Sequence, residues 1–466
     1  MSSVSLGVWD QVVLACYAAL VLGAGFLASR RASTGVQYLL AGRTLTLPLF
    51  VMTLVSTWYG GILGVGEFSY LYGLSSWITQ GLPYYFFAAL FALLLAGRIR
   101  RSGHLSIPDR LEAVYGRRAA LAGSVCTFIL ASPAPSILML GVLLHLVTGW
   151  GLLPCMAAGT VVSTLYLFLG GFRADVYTDA VEFVVMFLGF GAILPYAVSE
   201  GGGLEFLTLR LPPLHLTWHG GHGVQFIMVW FFIALWTLVD PSFHQRCLAA
   251  ESEKTARGGI LISIFFWFAF DAMTSAAGLY ARALLPRLDQ PMMAYPLLAE
   301  AILPEGVKGF FFAGLLATVM STLNTTAFVS ASTLGRDIVQ RLRGRAGDDR
   351  LHAVSTRWGL CLTGLVSIGL AAAIPSVIRL WYTIGSAMVP GLLIPLVSSY
   401  FPGRRVGGGI ALFSMLGGAC VSVGWILAGA GSAPFLGVEP FYPGLGASGA
   451  VWVVGWVLAP AGPSRG

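Results

Sequence analysis

Apolar stretches of about 20 residues follow one another along this chain of 466 with short polar gaps between them, and that alternation excludes most folds. Helices and closed barrels alone satisfy every backbone polar group inside a bilayer. Thirteen segments are expected, at roughly 9–29, 46–73, 76–97, 119–148, 150–170, 175–198, 224–249, 258–284, 307–335, 354–374, 376–400, 408–430 and 446–461. Charged residues make up 10% of the chain, against about 25% in soluble domains. The sequence therefore predicts an all-α polytopic membrane protein with about 13 transmembrane helices. Its opening, MSSVSLGVWD, has no basic residue and carries Asp10, unlike a cleaved leader, so the first segment is expected to stay in the membrane.

The basic residues test that count, because Lys and Arg concentrate on the cytoplasmic side. With alternating gaps assigned to opposite sides, 22 of the 27 fall on one side and 5 on the other. The expected orientation has the N-terminus outside and the C-terminus in the cytoplasm, across the cell membrane. The net charge of +7 is then a topological signature, and no nucleic-acid partner is needed to explain it. The six cysteines lie in or beside apolar segments with no C-x-x-C pair, as small packing residues do. His215, His219 and His222 share the loop PPLHLTWHGGHG with no Cys or acid close by, which reads as a solvated loop rather than a metal centre.

Within the ninth segment, FFFAGLLATVMSTLNTTAFVSASTLGRD, the residues Thr318, Ser321, Thr322 and Thr325 stand at i, i+3, i+4 and i+7. On a helix they share one face. Two readings are open. The hydroxyls bond to their own helix backbone, a common habit in membrane helices, or they offer the short-range oxygens that a small hard cation requires.

Two segments carry internal breaks. The second, LPLFVMTLVSTWYGGILGVGEFSYLYG, holds Gly60, Gly61, Gly64 and Gly66, and the seventh is interrupted at Asp240-Pro241. They stand five segments apart. Because five is odd, a fold repeated at that interval is inverted in the membrane, and inverted repeats with broken first helices are the plan of many secondary transporters. The expected division is 1–45 for an extra helix and loop, 46–223 and 224–400 for two five-helix repeats, and 401–466 for two further helices.

The stretches AGRTLTLPLFVMTLVST, SIPDRLEAVYG, GGFRADVYTDAVEF, HQRCLAAES and AGLLATVMSTLNTTAFVSASTLGRDI, spread over roughly residues 41–340, resemble the sodium:solute symporter family. The resemblance implies a ten-helix core of the leucine-transporter type, with one helix before it and two after. It also implies a sodium ion held between the second and ninth segments, by the side chains of Ser321 and Thr322 and the carbonyls of Thr318, Ser56 and Tyr59. A second ion or coupling site would involve Asp179 with Asn324 and Thr325. Asp175, Asp179 and Glu182, at i, i+4 and i+7 near a helix start, equally fit a favourable helix dipole.

Acids at membrane depth are functional candidates by default, and here they include Glu67 beyond the first break and Asp271 in the eighth segment. Trp58, Trp236 and Asp240 flank the two breaks as candidates for the solute site or its gate. The function expected is import of a small organic solute by sodium symport with alternating access. Proton coupling through the same fold, or a solute sensor built on it, are the alternatives. An enzyme is not expected, since H-E-x-x-H, G-x-S-x-G and a nucleotide loop are missing from the sequence. Neither the solute nor the oligomeric state is written in a motif.

Overall fold

The computed structural model describes residues 4–29, 35–345, 348–429 and 434–458. Arg30, Arg31 and Arg465, which entered the charge count, lie outside the described residues. Among those residues the fold is helical without a β-strand. Among the described residues eleven helices are long and apolar enough to cross a membrane, or twelve if the pair Leu47–Trp58 and Ile62–Tyr72, bent by 57°, is one span.

The fifth segment departs from expectation. It is a short helix, Leu152–Thr164, and the chain then turns through Leu165 and Tyr166 into a helix of 35 residues, Leu167–Gly201. Residues 167–174 thus belong to the sixth segment. That helix is kinked at Gly171 (φ 55°), where a Cβ would lie 2.4 Å from the carbonyl oxygen of Tyr38. Only glycine meets both demands. The break in the seventh segment is milder than that in the second. Helix Val224–Ile233 tightens to 3₁₀ turns over Ala234–Leu238 and restarts at Pro241–Ala249.

The sixth segment and the ninth, Val307–Ser332, lie together at the centre. They approach closely because glycine meets glycine, and a Cβ on Gly189 would sit 3.1 Å from Cα of Gly314. The start of the ninth segment is fixed from the first, where Asp10 accepts hydrogen bonds from the amides of Gly306 (2.8 Å) and Gly309 (2.6 Å). A buried carboxylate so placed satisfies amides that a helix start leaves free.

The other end of the ninth segment continues as a π-helical stretch, Thr333–Gln340, and is clamped to helix Ile107–Tyr115. Asp109 accepts from Arg336 and Arg341, each at 2.8 Å, and Glu112 accepts from Arg341 at 2.9 Å. Burial would raise the Asp109 carboxyl, but the two guanidinium groups outweigh it and hold it below the usual carboxylate range. Arg336 also pairs with its neighbour Asp337.

Candidate functional site

The first break begins where Tyr59 leaves the helix (φ −90°, ψ 18°), followed by Gly60 and Gly61. Its glycines are required by close approach as much as by flexibility. A Cβ on Gly60 would fall 2.1 Å from Cβ of Thr322, and one on Gly61 would fall 1.6 Å from the Trp381 indole. The broken backbone is therefore pressed between the ninth and eleventh segments.

At that contact the two hydroxyl faces meet. Ser321 Oγ lies 3.0 Å from Ser56 Oγ, and the Thr322 hydroxyl donates to the carbonyl oxygen of Thr57. Thr318 uses its own hydroxyl on Leu315 O (2.7 Å), the backbone habit expected of it, but its carbonyl faces Thr322 Oγ1 at 3.4 Å. The Tyr59 phenol points away and donates to Trp267 O, so this residue has only its backbone to offer at the break. Ser56, Tyr59, Thr318 and Ser321 are all buried. The donors gathered here are hydroxyl and carbonyl oxygens, the set that suits a sodium ion.

One helical turn further along, the arrangement departs from what the sequence implied. Asp179 Oδ1 accepts from Ser321 Oγ at 2.5 Å, while Oδ2 accepts from Thr53 and from Arg246 Nη2 at 3.1 Å. The same guanidinium nitrogen reaches Thr57 (2.6 Å), Thr53 (2.7 Å) and Thr325 (2.9 Å), and Thr325 donates to Asp175 at 2.6 Å. Every residue of this cluster is buried. Asp175 and Asp179 therefore act through side-chain partners across the interface, and the helix-dipole reading does not describe them. Glu182 lies a turn away, 3.5 Å from the Tyr17 hydroxyl.

Asn324 is not brought to this cluster. Its amide is engaged by Ser163 and by the Tyr166 hydroxyl, on a different face of the helix, so it is no partner of Asp179 and Thr325. Arg246, Thr53 and Thr57 are the residues that sequence reasoning missed. Arg246 lies inside the expected segment 224–249 but entered the charge count with the gap that follows it, and it stands fully buried within Val224–Ala249. A charge inside an apolar stretch was the available signal. Thr53, Ser56 and Thr57 at i, i+3 and i+4 form a second hydroxyl face that the same periodicity would have found.

A cavity of about 170 Å³ opens beside this oxygen cluster, between the two breaks. Trp58, Trp236 and Asp240 line it as expected, with Thr322 forming the common wall. Glu67 does not line it; Asp271 from the eighth segment does. Asp240 also has a local structural role. Its Oδ1 accepts from the amides of Ser242 (2.8 Å) and Phe243 (3.1 Å), capping the helix that restarts there.

A central helix broken by 57°, a second interruption facing it across a cavity, and a buried oxygen cluster at the first break define a secondary transporter of the leucine-transporter type. Comparison with known proteins agrees. The family model of the sodium:solute symporter family matches residues 38–418, and the chain belongs to that family. It is 28% identical to sodium/glucose cotransporter 4 of Mus musculus, an alignment covering 76% of this chain and 58% of that protein. With the sodium/pantothenate symporter of Escherichia coli it shares 27% identity over 93% of each. Among solved structures, a substrate-bound, outward-open sodium-coupled sialic acid symporter superposes with a TM-score of 0.80 at 18% identity, covering 98% of this chain and 99% of that one. The nucleobase-cation symporter Mhp1 gives 0.58 at 12% identity, covering 88% and 93%. These two likenesses establish the fold.

Proposed function

We propose that the chain imports a small organic solute by symport with one sodium ion. The ion is held by Ser321 and Thr322 with the carbonyls of Ser56, Tyr59 and Thr318, and the solute sits in the adjoining cavity. One observation carries this reading: the hydroxyls of residues 321 and 322 meet the broken helix at Ser56 Oγ and Thr57 O, against the cavity wall. The coupling follows from that adjacency. Sodium entering from outside would draw the two faces together, complete the wall at Thr322 and favour solute binding, after which the bundle rocks to release both.

The energetics suffice with one ion. At 100 mV a single charge contributes about 2.3 kcal/mol, and a tenfold gradient adds about 1.4, which supports several-hundred-fold accumulation. A second mobile cation has a competitor at Asp179, because Arg246 already neutralises that carboxylate. The reading extends to residues 46–223 and 224–400 as two inverted repeats in the cell membrane, with the N-terminus outside and the C-terminus cytoplasmic. The skewed distribution of Lys and Arg supports it.

Binding of radiolabelled sodium to purified protein tests the site. Ser321→Ala combined with Thr322→Ala should abolish saturable sodium binding while the protein remains folded and monodisperse. Unchanged sodium affinity in that variant would refute the assignment.

A further inference from the structure

Resting on the transport reading above, we infer that the solute is an organic cation, an ammonium group held by Asp271 and Asp240 within an aromatic cage. The cavity between the breaks is lined by two carboxylates and by no Lys, Arg or His side chain. Its apolar wall is mostly aromatic, with Trp58, Tyr84, Trp236 and Trp381 among the lining residues. Ring faces around carboxylates attract a cation by their quadrupoles, most strongly where water is excluded. An anionic solute would meet two like charges there with nothing in the wall to pair it.

Asp271 is available for that role. Its Oδ2 is oriented by a hydrogen bond from Tyr85, and no basic group pairs with its carboxylate among the described residues. Asp240 spends Oδ1 on its helix cap, and no hydrogen bond engages Oδ2 among the described residues. The guanidinium of Arg246 is turned to Asp179 and Asp175 behind Thr57. The cage is also braced. Trp58 packs edge-on against Tyr84 (5.0 Å between centroids), and the Trp236 ring lies so close to Gly385 that a Cβ there would be 2.9 Å away. The rings thus hold their places before the solute arrives, which limits the entropy lost on binding.

Thermal unfolding of the full chain in detergent, in sodium chloride and in potassium chloride, tests this. The probes are tetramethylammonium and tert-butylammonium, with tert-butanol as the neutral and pivalate as the anionic counterpart. The two ammonium ions should raise the midpoint in sodium, and tert-butanol and pivalate should not. Asp271→Asn should weaken the ammonium effect at least tenfold in concentration while keeping the shift produced by sodium alone. If Asp271→Asn fails to fold, Asp240→Asn and Trp236→Leu carry the same expectation. Equal shifts from tert-butanol or pivalate, no shift from either ammonium ion, or undiminished ammonium affinity in the Asp variants would overturn the inference. The sodium-alone shift is a separate readout: its presence without any ammonium effect leaves symport standing and removes only the cationic solute.

Discussion

Replacing Arg246 with methionine isolates the most consequential contact in the molecule. The substitution keeps much of the side-chain length and removes the charge. Its guanidinium lies 3.1 Å from Asp179 and 4.0 Å from Asp175, with both acids and the arginine at 0% exposure. At an effective dielectric of about 20 the closer pair alone represents roughly 5 kcal/mol of attraction. Removing one partner of such a pair destabilises by about 3–5 kcal/mol, because a carboxylate stays buried without its counter-charge. For a chain of this length unfolding cooperatively, about 4 kcal/mol lowers the thermal midpoint by roughly 4 °C. Adding Asp179→Asn removes the stranded charge, so the double variant should be about 2 kcal/mol more stable than the sum of the single losses. Sodium should protect Arg246→Met more than the unaltered protein, since a mobile cation then has an unpaired carboxylate to neutralise. Thermal unfolding of the four proteins, with and without sodium, reads all three quantities. A midpoint for Arg246→Met within about 1 °C of the original, or strictly additive losses, would refute the reasoning.

Other substitutions follow from the same geometry. Gly60→Ala forces a methyl into the space of Thr322, an overpacking worth about 1–3 kcal/mol, and should lower sodium affinity in a binding assay. Gly191→Ala, on the same long helix as the kink but with its nearest neighbour at 3.7 Å, should leave both unchanged. Asp109→Asn removes the charge that pairs with Arg336 and Arg341 in the clamp on the ninth segment, so a loss of about 1.5–3 kcal/mol or more is expected in unfolding. Because the Asp109 carboxyl is held low in the folded state, its contribution is full above the ordinary carboxylate range near 3.9 and is lost as pH falls through its lower folded value. The stability gap between Asp109→Asn and the original should therefore be constant between about pH 5 and 7 and narrow only at lower pH.

The broad plan was legible because it follows from strong constraints. A run of about 20 apolar residues in lipid favours a helix, and the Gly60-Gly61 pair or the Asp240-Pro241 step weakens a helix where it stands. The hydroxyl face that holds Ser321 and Thr322 was legible from its spacing, but its own backbone could have satisfied it, and the pair was singled out by the resemblance to the family. The identity of the partners was harder to read. Nothing local tells that Asn324, one residue from Thr325, turns to Ser163, because a helix separates adjacent residues by about 100° and the neighbours on each face come from distant segments. The boundary between the fifth and sixth segments was hard to place, because apolar residues run through it and the turn at Leu165 and Tyr166 carries neither Gly nor Pro. Arg246 was hidden because it entered the charge count with the gap that follows its segment.

Ser321 ties these pieces into one device. Its hydroxyl has three neighbours in reach, Asp179 Oδ1 at 2.5 Å, Ser56 Oγ at 3.0 Å and Thr57 Oγ1 at 3.4 Å, and Ser56 sends its own proton to Met52 O. The charged acceptor is nearer and makes the stronger bond, so the proton is committed to Asp179. That leaves the lone pairs of Ser321 turned to the break, the orientation in which a serine can ligate a cation. Arg246 pairs with Asp179 through Oδ2 and so leaves Oδ1 to Ser321. On the proposed assignment of the sodium site, the carboxylate has a positioning effect there in addition to its charge. Asp179→Asn would weaken sodium binding even where the asparagine keeps the hydrogen bond to Ser321, whereas Asp179→Glu, which keeps the charge and shifts it by a methylene, should lose less only if charge rather than placement dominates. The ratio of the two sodium affinities measures that division, and a tenfold difference corresponds to about 1.4 kcal/mol.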